Sequence, residues 1–201
     1  MKQLFIWIFK LKGWKLATPL PPGTDRCVMI ASPHTSNWDL IFTIACFELM
    51  RIPLKFTIKH EWLKWPFKRM MEGWGAIGID RSPKQPGQPR PSMVEVMTDL
   101  FKDRDRIALV VTPEGTRSLR TSWKTGFYHV AVNANVPIAL GYLDYKKKEA
   151  GVGKVIYPSG DMAKDMKEIM EFYVNIAPKF PEKFSVDVDY LKGTKKEAAQ
   201  A

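Results

Sequence analysis

Three histidines occur among the 201 residues, so each can be weighed by its neighbours. His34 stands in the run Pro33-His34-Thr35-Ser36-Asn37-Trp38-Asp39, between a short apolar segment and a stretch with helical spacing. A carboxylate five positions on, in the first turn of that helix, can fold back onto the imidazole. Such a contact fixes the tautomer and stabilises the imidazolium, which frees the other ring nitrogen to take a proton. A His–Asp pair with no nucleophile of its own suits direct attack by a substrate hydroxyl on an activated carbonyl. The competing reading is an Asp that caps a helix beside an unrelated loop histidine. His60, in Lys59-His60-Glu61, reads as a surface residue, and His129, beside Tyr128 in an apolar helix, as a packed one. No Cys/His cluster has metal-ligand spacing, and no metal is expected.

Directly after the apolar run Ile107–Val111 comes Thr112-Pro113-Glu114-Gly115-Thr116-Arg117-Ser118. In parallel α/β sheets the loops at the C-terminal strand ends build the site. This loop offers a carboxylate, a glycine, hydroxyls and a guanidinium. Arg117 can clamp a phosphate bidentately while Gly115 and Thr116 add neutral donors; the alternative is an ordinary turn in which Glu114 and Arg117 pair with each other. A further strand ends in Ile79-Asp80-Arg81, which sets a second guanidinium at a strand end or makes a surface salt bridge.

The elements that must carry these groups alternate in type. Residues 26–31 read as a buried strand and 38–50 as a helix, with Ser36 or Asn37 as its N-cap. A strand over 54–58, an amphipathic helix over 61–71 and a short strand over 76–79 follow. Ser92 and Glu95 then form a capping box that opens a helix after the proline-rich loop 82–91. The run 107–111 is a strand covered on both faces. A helix over 123–133, a strand over 137–142, an edge strand over 154–157 and a helix over 161–176 complete the chain. The succession predicts an α/β fold with a largely parallel central sheet flanked by helices.

The length suits one domain with a substantial core, and 45% hydrophobic residues with seven Trp exclude a disordered polar chain. A net charge of +10 points to a polyanionic partner, either nucleic acid or an anionic membrane surface. Two cysteines, Cys27 and Cys46, are too few for a disulfide framework and fit a reducing cytosol. No stretch approaches the roughly 20 apolar residues that span a bilayer. Residues 1–20 interleave Phe5, Trp7, Phe9 and Trp14 with Lys10 and Lys12, and no acid precedes Asp25. That composition predicts an interfacial amphipathic helix over 1–20, its aromatic residues in the headgroup region and its lysines on anionic lipid. The alternative is a first helix packed on the core. Trp62 and Trp65, among Lys64, Lys68 and Arg69, extend the expected membrane-facing surface. Residues 18–24 read as a linker, 21–190 as the domain proper and 191–201 as a flexible charged tail.

Together these blocks resemble the glycerophospholipid acyltransferase family, best known through the 1-acylglycerol-3-phosphate acyltransferases. His34 to Asp39 is similar to its H-x4-D signature, residues 75–81 to its block ending in I-D-R, residues 113–118 to its P-E-G-T-R-S block, and Val136-Pro137-Ile138 to its V-P-I block. Pro33 stands where the family often has Asn, and Thr112 where it often has Phe. The resemblance implies that His34 is the general base and Asp39 its orienting partner. It implies that Arg81, Glu114, Gly115, Thr116 and Arg117 bind the acceptor phosphate. The donor would be acyl-CoA or acyl-carrier protein, with no cofactor, and the acceptor a lysophospholipid, foremost 1-acylglycerol-3-phosphate, giving phosphatidic acid. The expected location is the cytoplasmic face of a membrane, as a peripheral or monotopic protein. Three alternatives stand beside this: a non-phosphate acceptor such as a lyso-ornithine lipid, water as acceptor, and a non-catalytic basic binding module. No recognised nucleic-acid motif supports the last for nucleic acid, and the apolar N-terminus opposes it.

Overall fold

The computed structural model describes residues 2–79 and 90–195. Its elements are α1 (Lys2–Leu11), β1 (Lys15–Leu16), β2 (Arg26–Ala31), α2 (Trp38–Leu49), β3 (Leu54–Lys59), α3 (Lys68–Trp74), β4 (Ala76–Ile79) and α4 (Met93–Asp99). Then come β5 (Ile107–Val111), α5 (Gly126–Ala134), β6 (Ile138–Asp144), β7 (Glu149–Ile156), α6 (Met162–Tyr173) and α7 (Val188–Leu191). One seven-stranded sheet runs in the order β1-β7-β6-β2-β5-β3-β4. Among the described residues only the β6–β7 hairpin is antiparallel; the other neighbours pair in parallel, as the alternation of strands and helices predicts.

Alternation along the central strands sorts the core into two layers. Val28 and Ile30 of β2, Ile107 and Leu109 of β5 and Ile138 and Leu140 of β6 face one layer, closed by α4, α5 and α6. Cys27, Met29, Ala108 and Ala139 face the other, which holds α1 and α2. Bulky β-branched and leucyl side chains fill the first layer. Apart from Met29, small ones floor the second, and room remains there for the aromatic side chains of α1 and α2. The capping box of Ser92 and Glu95 is present at the start of α4, as the sequence predicts.

Several boundaries differ for physical reasons. The helix expected over 61–71 is a 3-10 turn at His60–Trp62 followed by α3, because Pro66 has no N–H to donate and disfavours helical geometry at Trp65. Asn37 occupies the N-cap position of α2 but makes no side-chain cap bond. The final hairpin strand, β7, is twice the expected length and is not at the edge, since β1 pairs outside it.

The N-terminal helix is shorter than residues 1–20 and lies against α2. It ends at Leu11, and Gly13, at φ 74, turns the chain into β1. Phe9 is 1% exposed and Trp14 7%, so both are core residues and not membrane-facing ones. The Trp14 and Phe42 rings lie 4.7 Å apart, and Phe9 meets the edge of Phe42 at 6.3 Å. Phe5 is half-buried against Trp74 of α3, ring centroids 5.3 Å apart. The helix carries aromatic residues on two faces, and folding buries one of them. The other face keeps Leu4, Trp7 and Leu11 in solvent, at helical spacing. Phe9→Ala should therefore cost about 3–5 kcal/mol, whereas Trp7→Ala should stay within about 0.5 kcal/mol of the parent. Urea unfolding of the two variants checks this; equal losses would contradict the packing of α1.

Candidate active site

Because β2 and β5 are parallel neighbours, with Ile30 opposite Val111, the loops that leave their C-terminal ends emerge side by side. The β2 loop carries His34, and the β5 loop carries residues 112–118. The Ser32–Pro33 peptide bond at the head of the first loop is cis.

Asp39, in the first turn of α2, is 4% exposed. A carboxylate taken out of water needs partners for both oxygens. Its Oδ2 accepts the Thr35 and Ser36 N–H groups, each at 2.8 Å, and its Oδ1 accepts the Tyr145 hydroxyl at 2.6 Å. The start of α2 adds the favourable end of a helix dipole. His34 Nδ1 lies 3.4 Å from Oδ2. That is an ion-pair distance, looser than a full hydrogen bond, of the kind that tightens when a substrate is held. An Nδ1–H tautomer follows from this contact, and the His34 ring lines a cavity. Burial, with the Asp39 contact after it, pushes the Tyr145 hydroxyl well above its ordinary pKa, so it is a donor at any working pH.

Glu114 behaves otherwise than the sequence suggests. It neither pairs with Arg117 nor lines the cavity. Its side chain turns inward, where Oε1 accepts the Ser32 hydroxyl at 2.6 Å and the His34 N–H at 3.2 Å. Burial raises its pKa by more than the Ser32 hydroxyl and the neighbouring His34 lower it, and Oε2 has no partner among the described residues. A buried carboxylate is a poor ligand for a phosphate, so Glu114 is a brace for the His34 loop and not a phosphate contact. Thr116 also stays off the cavity wall, its Oγ1 accepting the Ser118 N–H at 3.3 Å.

Gly115 and Arg117 do reach the cavity, which has a volume of about 630 Å³. Most of its wall is apolar, from Leu40, Ile44 and Phe47 of α2, Leu54, Phe56 and Ile58 of β3, Val110 and Leu143. Lys124, which belongs to none of the sequence motifs, also lines the cavity. Gly115, at φ +68, lies under it: a Cβ there would come within 3.0 Å of the Lys124 Nζ. The segment before α5 is anchored from elsewhere in the chain. Trp123 donates its N–H to Asp187 and its indole N–H to the Ser185 carbonyl, and the Lys124 N–H reaches the Pro113 carbonyl at 3.0 Å. Neither Arg117 nor Lys124 makes an ion pair with a described carboxylate. Arg81 and the Trp62 side chain lie outside the described residues, whereas Trp65 is 91% exposed. His60 is exposed, and His129 sits edge-on to Tyr128, at 6.2 Å.

Ser32 and Cys46, both on the cavity wall, could be mistaken for nucleophiles. Ser32 spends its proton on Glu114. Cys46 lines the cavity, but burial pushes its thiol up to about 12, so it holds its proton at neutral pH. What the arrangement can do is take a proton from a hydroxyl brought into the largely apolar cavity that His34 lines.

A largely parallel α/β sheet with a His–Asp pair at one strand end and a basic loop at the next fits an enzyme of group transfer. The acyltransferase family model matches residues 18–139, more than half of the chain, and the chain belongs to that family, the family of the glycerophospholipid acyltransferases. It is accordingly an acyltransferase of lipid biosynthesis, with an acyl donor and a lipid acceptor. Comparison with curated proteins returns no match.

Proposed function

We propose that the protein moves a fatty acyl group from an acyl thioester, acyl-CoA or acyl-carrier protein, to the free hydroxyl of a lysophospholipid, with 1-acylglycerol-3-phosphate as the acceptor and phosphatidic acid as the product. The single observation that carries this reading is the buried Asp39 carboxylate beside His34 at the wall of a lipid-sized, largely apolar cavity. His34 Nε2 removes the hydroxyl proton, Asp39 stabilises the imidazolium, and the alkoxide attacks the thioester carbonyl. The thiolate leaves and takes the proton back from His34. So written, the reaction calls for no cofactor.

Arg117 and Lys124, cationic and without a described carboxylate partner at the same cavity, favour an anionic acceptor over a lyso-ornithine lipid. Arg81 would join them. A hydrolase reading would leave those cations without an acceptor phosphate to hold.

The protein is proposed to work at the cytoplasmic surface of a membrane. Leu4, Trp7 and Leu11 form an exposed stripe on α1, with Lys10 and Lys12 exposed beside it. The Phe5–Trp74 contact brings α1 next to α3, which follows exposed Trp65 and Phe67. Apolar side chains interleaved with lysine suit an anionic headgroup layer, and no described helix is long and apolar enough to cross a bilayer.

Two measurements test the proposal. The purified protein in mixed micelles should transfer labelled acyl groups from acyl-CoA to lysophosphatidic acid, and His34→Ala should lose about 10²–10⁴ in rate with its melting temperature unchanged; a folded variant of full activity would remove His34 from the chemistry. Replacing Trp7, Leu11 and Trp65 together with Ser should abolish co-sedimentation with phosphatidylglycerol vesicles and leave the melting temperature in place. Vesicle binding equal to the parent's would refute the proposed membrane face.

A further inference from the structure

We infer that Tyr145 is a positioning residue of the His34–Asp39 pair, acting through the carboxylate oxygen that His34 does not use. The inference rests on reading that pair as the catalytic base. Asp39 Oδ2 is crowded: it takes two N–H groups of its own loop and faces His34 Nδ1. Those partners sit within five residues of Asp39 and share one oxygen. The carboxylate torsion of an Asp is broad and roughly two-fold, so partners on one oxygen leave the plane of the group free to rock. A donor on the other oxygen closes that freedom. Tyr145 supplies it at 2.6 Å, from 106 residues along the chain and beyond the stretch matched by the family model.

The tyrosine is itself fixed on three sides. Trp14 meets its ring edge-on, 4.9 Å between centroids at 89°, and Phe42 of α2 packs at 6.1 Å. Its backbone N–H donates to the Ala177 carbonyl at 2.9 Å, tying it to the segment after α6. A hydroxyl held this way is preorganised, and its bond to a carboxylate is charge-assisted. The His34–Asp39 contact, at 3.4 Å, is already looser than a full hydrogen bond, so a small rotation of the carboxylate would lose it. Tyr145 touches neither a substrate nor the reacting atoms. Its effect passes through Asp39.

The test is Tyr145→Phe, which removes the hydroxyl and keeps the ring between Trp14 and Phe42. Two readouts are taken: kcat and KM for acyl transfer from acyl-CoA to lysophosphatidic acid, and the long-range ¹H–¹⁵N spectrum of the His34 ring without substrate. The parent should show one Nδ1–H tautomer. In the variant the tautomers should mix, kcat should fall about tenfold, the scale of a lost hydrogen bond to a charged group, and KM should stay within about twofold. Both changes are required; a folded variant that shows neither, or only one, overturns the inference. 4-Aminophenylalanine at position 145 restores a donor and should recover the single tautomer and most of kcat. If Tyr145→Phe does not fold, that residue decides alone, and its failure to hold the tautomer overturns the inference. The two readings fail separately. Full activity in His34→Ala would sink the base assignment, while the tautomer spectrum would still report on Tyr145.

Discussion

A negative charge buried beside the cavity governs the architecture of this site. Asp39 is almost completely withdrawn from water, and a carboxylate there is tolerated only because donors are already aimed at it. Two come from the loop that joins β2 to α2, and one comes from Tyr145, just past the end of β6. Satisfying that charge therefore requires the sheet to be assembled. The same partners that lower the cost of burial also fix the oxygen that faces His34, so stability and chemistry are set by one group of hydrogen bonds. Glu114 acts similarly from the neighbouring loop. It joins the C-terminal ends of β2 and β5 through Ser32 and the His34 backbone, and a free carboxylate oxygen is the cost of that arrangement.

The segments outside the family match, 18–139, are tied to this centre and are not mere appendages. Trp14 packs on Tyr145, and Tyr145 holds Asp39. Residues 185–187 anchor Trp123, next to Lys124 on the cavity wall, and Lys195 pairs with the same Asp187 oxygen that accepts the Trp123 N–H. Asp187 is fully buried; burial alone would raise its pKa, but the Lys195 ammonium, the Trp123 N–H and the Ser122 hydroxyl together hold it below the usual carboxylate range. A depressed carboxylate stabilises the fold above its unfolded pKa and loses that contribution as acid protonates it. The C-terminal clasp is therefore at full strength at neutral pH and weakens on acidification.

What could be read in the sequence was local. His34 and Asp39 lie five positions apart across a strand-to-helix turn, and the alternation of β-branched runs with helical spacing was enough for a parallel sheet. Helix 61–71 failed at Pro66, a signal present in the sequence that amphipathic spacing overrode. Phe9 and Trp14 were harder. A helix with aromatic residues on two faces has one composition whether it lies on lipid or on a core, and only the partner surface on α2 decides. Glu114 turned inward because β2 and β5 are neighbours, which no spacing within residues 112–118 encodes. Tyr145 and Lys124 belong to the site through contacts formed across the sheet and over the loops, between residues far apart in the chain.

The central claim is that His34, held by Asp39, lets the acceptor hydroxyl attack the thioester directly, because the serine beside it is committed to Glu114 and the cavity cysteine keeps its proton. Initial rates measured over a grid of acyl-CoA and lysophosphatidic acid concentrations, together with the intact mass of the protein after incubation with acyl-CoA alone, test it most directly. Direct transfer predicts intersecting double-reciprocal lines and an unmodified protein mass. Parallel lines with a protein heavier by one acyl group would contradict it and place a covalent intermediate on the chain.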